Sequence, residues 1–213
     1  MAWIRKKTLL PHFVRVPKNL KEETFIQFHL VGCKVFNGQM CPRDYFTALN
    51  IQYDANLTIT IIHHVITHWS DNLPRFLYLQ LDNTSRENKN QIVFGYLNML
   101  VELGIFHKVK VGFLLVGYTH DLIDQMFSRF AVTLGRKNAG SLPSLTEIIR
   151  KTYNLEHVVL TLEEIVDMQR FIMGSHGEVR CIEKLNGISF QHQFCIKRLT
   201  GKHYYEVRST QQV

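Results

Sequence analysis

The sequence predicts an α/β fold, and three features of its middle third carry that prediction. Two short apolar runs, Leu77–Leu81 and Val109–Val116, have the length of buried strands. Each run is followed by a segment whose apolar residues recur at helical spacing. The connections between these segments are short. A strand–helix–strand–helix order of this kind favours parallel pairing of the strands with a right-handed crossover.

The segments before this middle third predict two further strands and a helix. Residues 25–36 are rich in aromatic and β-branched side chains, and residues 45–53 alternate apolar and polar ones, so both are predicted strands. Residues 37–44 contain an Asn-Gly pair and a proline, which indicates a turn-rich loop between these strands. The apolar residues of 57–69 recur at helical spacing, and Asn56 precedes them as the candidate N-cap.

Two helices follow the apolar runs. The first presents its apolar residues on one face between Ile92 and Val101, with Gly104 as its C-cap. The second presents the same pattern between Leu122 and Leu134. Together these elements predict a core domain over residues 1–140.

A C-terminal α+β appendage is predicted over residues 141–213. Ser144-x-x-Glu147 and Thr161-x-x-Glu164 both have the spacing of a capping box, and each is expected to open a helix. The segments 188–198 and 203–208 flank a Thr-Gly pair and predict a hairpin.

Composition excludes the disordered and membrane-spanning classes. Of the 213 residues, 46% are hydrophobic and 20% are charged, which is typical of a globular protein with a core. No apolar run approaches the ~18 residues that a membrane span requires. The N-terminus lacks the pattern of a secretory signal, and the four cysteines form neither a zinc nor a disulfide pattern. We therefore expect a cytoplasmic or nuclear protein with reduced thiols.

The net charge of +7 is concentrated in basic stretches. Residues 1–21 contain no acid, and a second basic stretch runs from residue 129 to 151. Such stretches suit a polyanionic partner, because each phosphate that they neutralise releases counterions; a solubilising surface is the alternative of equal weight. The candidate nucleic-acid-binding residues are Arg5, Lys6, Lys7, Arg86, Lys89, Arg129, Arg136 and Lys137.

Three acids are candidates for a chemical site. Asp82 follows the first apolar run, and Asp121 and Asp124 open the helix after the second. Because ligands collect at the carboxyl ends of parallel strands, these carboxylates are expected to converge there. Converging carboxylates are the oxygen ligands that Mg²⁺ or Mn²⁺ prefers. The alternative is that Asp82 and Asp121 only cap helices and complement their dipoles.

Histidines offer two further metal-binding hypotheses. His64 and His68 have the i, i+4 spacing of zinc ligands, although a polar helix face is the stronger interpretation because no third ligand is nearby in the sequence. His120 and Asp124 are also four residues apart, which would permit a hydrogen bond or a shared metal ion. The basic residues Arg86 and Lys89 precede a helix N-terminus, where phosphate binds favourably; a solvated first turn is the alternative.

Two stretches resemble a large eukaryotic family that looks transposon-derived, with a ribonuclease-H-like core of the DDE integrase and transposase type. They are Leu79-Gln-Leu-Asp-Asn-Thr-Ser-Arg-Glu-Asn-Lys-Asn90 and Phe113-Leu-Leu-Val-Gly-Tyr-Thr-His-Asp-Leu-Ile-Asp-Gln-Met-Phe-Ser-Arg129. Lys7-Thr-Leu-Leu-Pro-His-Phe13 and Ile188-Ser-Phe-Gln-His-Gln-Phe194 are also similar to segments of that family. The resemblance implies a ribonuclease-H-like mixed sheet flanked by helices.

The same resemblance implies that Asp82 is the second acid of a three-acid site and Asp124 the third. Asp82, Asp121 and Asp124 would then be the catalytic candidates, and Asp82, Asp124 and His120 the metal ligands. Tyr118 stands where the family has a histidine, and residues 1–6 lack the acids that family members carry before the Lys-Thr-x-Leu-Pro-His segment. The core is therefore expected to lack its first strand and first acid, and so to be catalytically degenerate.

Three functions remain open at the level of the sequence. The first is a transposase-derived, ribonuclease-H-like domain that binds nucleic acid and Mg²⁺ or Mn²⁺; any activity would be that of a metal-dependent phosphodiester nuclease or transposase. The second is a domesticated scaffold that binds protein partners or forms a homo-oligomer. The third is a phosphatase or nucleotide-handling enzyme that uses the same acids. A membrane partner is not expected.

Overall fold

The computed structural model describes residues 3–21, 24–37, 39–47, 53–114, 122–152, 158–162, 164–173, 188–199 and 202–208. In parts of the strands and at the start of one helix, only the backbone is described. The regular elements in chain order are β1 (Trp3–Leu10), β2 (Ile26–Asn37), β3 (Gln39–Thr47), α1 (Ala55–His68), β4 (Phe76–Leu81), α2 (Gln91–Glu102), β5 (Lys108–Phe113), α3 (Leu122–Leu134), α4 (Leu142–Thr152), β6 (Val158–Leu162), α5 (Met168–Met173), β7 (Gln193–Leu199) and β8 (Lys202–Arg208).

The chain forms two compact units, each made of two separate segments. Unit 1 contains Met1–Ile51 and Tyr118–Glu163, and unit 2 contains Gln52–Gly117 and Glu164–Val213. The boundary predicted near residue 140 falls inside the second segment of unit 1. As a domain assignment it stays a prediction.

Unit 1 is built on the sheet β1-β2-β3-β6. The first three strands are antiparallel neighbours, and β6 runs parallel to β3. Helices α3 and α4 pack together, and α3 also contacts β1 and β2. The apolar side chains of α3 and α4 form a buried core with residues of β1, of β2 and of the segment after α3. The core consists of Leu10, Leu30, Met126, Phe127, Phe130, Ala139, Leu145 and Ile149.

Unit 2 is built on the sheet β4-β5-β7-β8. Strands β4 and β5 are parallel, and β7 and β8 continue the sheet as antiparallel neighbours. Helix α2 contacts β5, β7 and the helices α1 and α5. The rings of Phe94, Phe113 and Phe194 meet in this layer with centroids 4.6–6.2 Å apart.

The predicted α/β class, with mixed sheets flanked by helices, is confirmed. The parallel pair of β4 and β5, the helices α2 and α3, and the C-terminal hairpin all lie where the sequence predicts them. Gly104 follows α2 with a φ of 74°, the left-handed conformation expected at a helix C-terminus. No described helix is long and apolar enough to cross a membrane.

Two predictions near the N-terminus are wrong. The loop expected over residues 37–44 is largely strand: β2 extends to Asn37, β3 begins at Gln39, and Cys41–Asp44 belongs to β3. Within this strand Pro42 is in register with Lys34 of β2, and the described pairing with β6 includes Arg43 to Thr47. The N-cap of α1 is Asp54, two residues before the expected Asn56; its Oδ1 accepts the Asn56 N–H at 2.9 Å.

Both predicted capping boxes are also wrong. Helix α4 begins before Ser144, and the reciprocal bonds join Ser141 and Ser144: each side-chain oxygen accepts the other residue's N–H, at 3.5 and 3.0 Å. Thr161 lies in β6, where the run Val-Val-Leu-Thr-Leu has strand propensity and pairs with β3. Helix α5 is capped instead by Asp167, whose Oδ1 accepts the Arg170 N–H at 3.0 Å.

Candidate nucleic-acid interface

The loop between β4 and α2 contains Asp82, which lies immediately after the strand as predicted. Leu79 and Leu81, the inward residues before it, are 3% and 0% exposed. The Asp82 carboxylate is exposed, and its Oδ1 accepts the N–H of Asn83 at 2.7 Å. A carboxylate has two acceptor oxygens, so an exposed one with this bond can also bind a water or a cation.

The buried side chain of Asn88 stabilises this loop through hydrogen bonds. Its side chain is fully buried, and its Nδ2 donates to the Asp82 carbonyl at 3.1 Å and to the Thr84 hydroxyl at 3.0 Å. Its Oδ1 accepts the buried hydroxyl of Thr58 on α1 at 2.9 Å. The amide therefore ties the loop both to itself and to the neighbouring helix.

Lys89 is buried in the same loop, with 5% of its surface exposed. Its Nζ donates to Asn83 Oδ1 and to the Ser189 carbonyl, both at 3.0 Å, and lies 5.2 Å from the centre of the Phe113 ring. Burial lowers the pKa of this ammonium from its ordinary value. As a nucleic-acid contact Lys89 stays a prediction, but its ammonium already bridges two segments of unit 2.

The N-terminus of α2 is capped by Asn90. Its Oδ1 accepts the N–H groups of Ile92 and Val93 at 3.1 and 3.0 Å. Its Nδ2 donates to the carbonyls of Ser85 and Arg86, both at 3.1 Å. The donors that would bind a phosphate at this helix end are therefore engaged within the protein, and Arg86 remains as an exposed cation beside them.

The third predicted acid, Asp124, lies in the first turn of α3, and its side chain is half-buried. An acid in the first turn complements the helix dipole. Asp124 belongs to unit 1 and Asp82 to unit 2, and each is described within its own unit. His120, Asp121 and Tyr118 lie outside the described residues.

Two histidines of α1 contact aromatic side chains: the His68 ring meets that of Trp69 edge to face, and His63 contacts Tyr96. His63 Nδ1 is 3.1 Å from the hydroxyl oxygen of Tyr96, and the two rings meet edge to face. Within the part of the chain that the structure describes, no three His, Cys, Asp or Glu side chains group as a metal site would require. The zinc and magnesium hypotheses therefore stay predictions.

The two basic stretches of the sequence meet in unit 1. The backbones of His12 and Ala139 exchange hydrogen bonds of 2.6 and 2.8 Å, and His12 Nε2 is 2.8 Å from the Leu134 carbonyl. Two residues after His12, the Val14 N–H donates to Asn138 Oδ1 at 2.8 Å. These bonds hold the segment after β1 against the segment after α3, although more than a hundred residues separate them in the sequence.

Exposed cations flank this connection on both segments. Arg15 follows Val14, and Arg136 and Lys137 precede Asn138; all three side chains are exposed. We call these three residues the basic junction. Strand β1, which carries Arg5, Lys6 and Lys7, leads directly into it.

Acids are sparse around the basic junction in the sequence. Residues 1–21 and 125–146 contain none. Glu147, the next acid after the second segment, is held at a pKa below its ordinary value by its hydrogen bond to Lys151, by the charge of Lys151, and by the charge of Lys137. The exposed Arg129, on α3, adds a further cation to the same segment.

The pairing that creates the basic junction was not predicted from the sequence. The signal for it is weak, since one bridge between two loop segments leaves no periodic pattern. A second set of residues was missed because β4 and β5 were interpreted as fully buried. Their outward residues, Phe76, Tyr78, Gln80 and Lys110, are exposed. The signal that identifies this face is the alternation of lysine and valine in β5, with which β4 pairs in register.

A family model described as a domain of unknown function (DUF7869) matches residues 18–212, and the chain belongs to this family. Comparisons with curated proteins and with solved structures gave no match. The description of the family names no activity, so the function is argued from the surfaces and loops described above.

Proposed function

We propose that the chain is a ribonuclease-H-like, transposase-derived domain that binds nucleic acid and has lost the ability to cleave it. The basic junction is the observation that supports the binding proposal most directly. It brings together two acid-free segments that the sequence keeps far apart, and it leaves three cations exposed on one part of unit 1. The motifs around Asp82 and Asp124 support the ribonuclease-H-like and transposase-derived parts of the proposal.

Physical chemistry favours a phosphate backbone as the ligand of the basic junction. Each phosphate that a protein cation neutralises releases condensed counterions, and this gain in entropy supplies most of the non-specific affinity. Phosphate contacts position a nucleic acid without reading its sequence. We therefore expect binding through the basic junction to be sensitive to salt and indifferent to sequence.

The divalent metal belongs to the same proposal. Asp82 has an exposed carboxylate at the end of a parallel strand, where cations are commonly held, and Asp124 and His120 are the other proposed ligands. Mg²⁺ or Mn²⁺ bound there would place positive charge against a phosphate. No cleavage is proposed.

Fluorescence anisotropy with labelled duplex DNA tests the role of the basic junction. The double variant Arg136→Gln/Lys137→Gln should weaken duplex binding several-fold and lower the slope of log K against log salt by about 1–2. The titrations span about 50–200 mM salt, the range over which phosphate contacts are most clearly resolved.

Arg170→Gln is the matched control, because Arg170 is an exposed cation on α5 in unit 2. It should leave both the affinity and the salt slope within error of the parent protein. Duplex binding that does not respond to the double variant would contradict the role of the basic junction. A complete lack of binding to duplex and single strands at low salt would favour the protein-interaction scaffold.

A further inference from the structure

The sheet of unit 2 has one face that no described helix covers. Along β4 the residues alternate, with Leu79 and Leu81 buried and Phe76, Tyr78 and Gln80 exposed. Phe76 and Tyr78 expose 47% and 58% of their surfaces. Both rings are therefore accessible to a ligand on this face.

Lysines occupy the same face on the neighbouring strand. Lys108 is in register with Phe76, and Lys110 is in register with Tyr78. The ammonium of Lys108 lies 5.0 Å from the Phe76 ring centre, and that of Lys110 lies 5.5 Å from the Tyr78 ring centre. The two strands thus present two aromatic–lysine pairs side by side.

Strand β7 extends this pattern. Lys197 is in register with Lys108, and Cys195 with Lys110. We call the outward positions of β4, β5 and β7 the open face; they are Phe76, Tyr78, Gln80, Lys108, Lys110, Gly112, Gln193, Cys195 and Lys197. The open face so defined contains three lysines and no acid. On β8, of which the backbone alone is described, Tyr204, Glu206 and Arg208 are in register with the β7 positions.

The opposite side of the sheet accounts for the stability of unit 2. Val109, Val111 and Phe194 point there and are at most 5% exposed, and α2 packs against β5 and β7. Parallel strand pairs are usually covered on both faces. A parallel pair whose second face carries exposed aromatic and lysine side chains is therefore unusual for a surface with a purely structural role.

We infer that the open face binds single-stranded nucleic acid, with Phe76 and Tyr78 stacking on unpaired bases and the lysines contacting phosphates. The inference deepens the proposed function by naming a substrate class, and it rests on that function only in taking nucleic acid as the ligand. Single strands are favoured over duplexes because an aromatic ring can stack only on a base whose face is unpaired and accessible.

The spacing of the two rings agrees with this ligand. Residues two apart on a strand are separated by ~6.6 Å, which is about twice the ~3.4 Å rise per nucleotide of a stacked strand. The rings can therefore contact different bases of one strand that runs along β4.

The lysine–ring contacts do not prevent stacking. An exposed cation–π contact corresponds to a factor of about five or less in an equilibrium, whereas one stacked base contributes about fivefold to a hundredfold. A base that displaces a lysine from the ring also leaves that lysine free to contact a phosphate. Replacement of the lysine by a base on the ring is therefore favoured by the stacking and by the new phosphate contact.

Charge argues against a protein ligand on the open face. Lysine is depleted in protein–protein interfaces, where arginine and aromatic residues are enriched. Here three lysines lie among the aromatic positions, and the open-face positions of β4, β5 and β7 include no carboxylate to pair with a partner's cations. Alternating rings and cations are the combination that single-strand-binding grooves use.

Anisotropy with a labelled oligothymidine of about 12 nucleotides, within the site size of a small binding domain, tests the inference. The variant Phe76→Leu/Tyr78→Leu keeps apolar bulk on the strands but removes both π-faces, and it should weaken single-strand binding at least tenfold. Tyr78→Trp should preserve or strengthen binding, and the fluorescence of the new tryptophan should be quenched by the oligonucleotide above the background of Trp3 and Trp69. Thermal melts establish that each variant is folded.

Phe171→Leu is the matched control, because Phe171 is 63% exposed on α5, a helix that packs against α1 and α2. It should leave single-strand affinity unchanged. Unchanged affinity in the folded Phe76→Leu/Tyr78→Leu variant would overturn the inference, and so would an equal loss of affinity in Phe171→Leu.

The two nucleic-acid proposals fail separately. If Arg136→Gln/Lys137→Gln loses duplex binding while Phe76→Leu/Tyr78→Leu leaves oligothymidine binding intact, the basic junction stands and the open face is wrong. If oligothymidine binding depends on Phe76 and Tyr78 while Arg136→Gln/Lys137→Gln leaves duplex binding unchanged, the proposal for the open face stands and the one for the basic junction is wrong. A chain that binds neither ligand contradicts both.

Discussion

Lys89 illustrates how a residue that looks like a ligand contact in the sequence takes part in stabilising a loop, together with its neighbour Asn88. Asn88 makes three side-chain hydrogen bonds and is fully buried, and Lys89 bridges Asn83 and Ser189. Sequence alone could place these residues before a helix. It could not reveal that their polar groups are already satisfied, because the partners on α1 and near Ser189 are distant in the chain.

Replacement of Asn88 by alanine should destabilise unit 2. It removes the bonds to Asp82, Thr84 and Thr58, and it leaves the buried Thr58 hydroxyl without an acceptor. The expected loss in free energy of unfolding is about 2–3 kcal/mol, measured by urea denaturation. Asn72→Ala, at an exposed position, should change stability by less than about 0.5 kcal/mol. Equal stabilities for the two variants would contradict the structural role of Asn88.

The buried ammonium of Lys89 should give the protein a measurable pH dependence of stability. Because burial lowers the pKa of Lys89 in the folded state, the unfolded chain binds more protons between that lowered pKa and the ordinary value of 10.5. Its contribution to the free energy of unfolding should therefore rise with pH through this window. Burial raises the pKa of Tyr96, which opposes this trend only above about pH 10, so the comparison belongs below that pH.

Urea denaturation of the parent protein and of Lys89→Met between about pH 8 and 10 isolates this effect. The difference in stability between the two proteins should shift in favour of the parent as pH rises, since methionine has no proton to lose. Lys110→Met, at an exposed position, serves as the control and should show no such shift. Parallel pH profiles for the parent and Lys89→Met would mean that the Lys89 pKa is the same in the folded and unfolded states.

At the scale of elements, the sequence predicted those whose own residues determine them. The apolar runs of β4 and β5 and the helical periodicity of α2 and α3 are each contained in one segment, and these elements lie where predicted. The first residues of helices were less predictable, because Asn56 and Ser144 have side chains as suitable for an N-cap as those of Asp54 and Ser141. The assignment of Cys41–Asp44 to a loop failed because the cost of a proline in a strand depends on which strands pair with it, which is a tertiary fact.

The packing of α3 on β2 depends on a glycine. A Cβ placed on Gly32 would lie 2.7 Å from Met126 Cε and 3.0 Å from Phe127 Cε2. The methionine end can move, but the phenylalanine ring belongs to the buried core of unit 1. Gly32→Ala should therefore reduce stability by about 1–3 kcal/mol.

Gly140→Ala is the matched control for this prediction. No atom lies within 4 Å of a Cβ at Gly140, so the substitution should be neutral or slightly stabilising. Thermal and urea melts of both variants provide the measurement. A Gly32→Ala protein as stable as Gly140→Ala would show that α3 does not approach β2 as closely as described.

At the scale of the whole molecule, the net charge is +7, and the two units position their cations by different interactions. In unit 1 the basic junction depends on backbone and side-chain bonds between distant segments, so composition predicted the positive charge but not its location. In unit 2 the open face depends on strand register, which pairs each aromatic ring of β4 with a lysine of β5. The sequence predicted where Asp82 and Asp124 lie along the chain. It could not predict that the two acids belong to different units.

The last prediction is that the chain binds Mn²⁺ weakly through Asp82 and Asp124 and does not cleave nucleic acid. A cation held by few carboxylates keeps most of its water and binds weakly, and in-line phosphodiester cleavage needs the attacking and leaving oxygens clamped together. The ammonium of Lys89 is fixed on Asn83, the residue next to Asp82, and its positive charge lowers the affinity for a divalent cation further.

Calorimetry against Mn²⁺ and cleavage assays on labelled DNA and RNA measure both parts of this prediction. Asp82→Asn and Asp124→Asn should each abolish Mn²⁺ binding, while Lys89→Met should strengthen it, because one repelling charge is removed. Asp71→Asn, an exposed acid elsewhere in unit 2, should have no effect. Unaltered binding in both site variants would refute the metal site. Robust cleavage that disappears in Asp82→Asn would show that the domain retains its catalytic function.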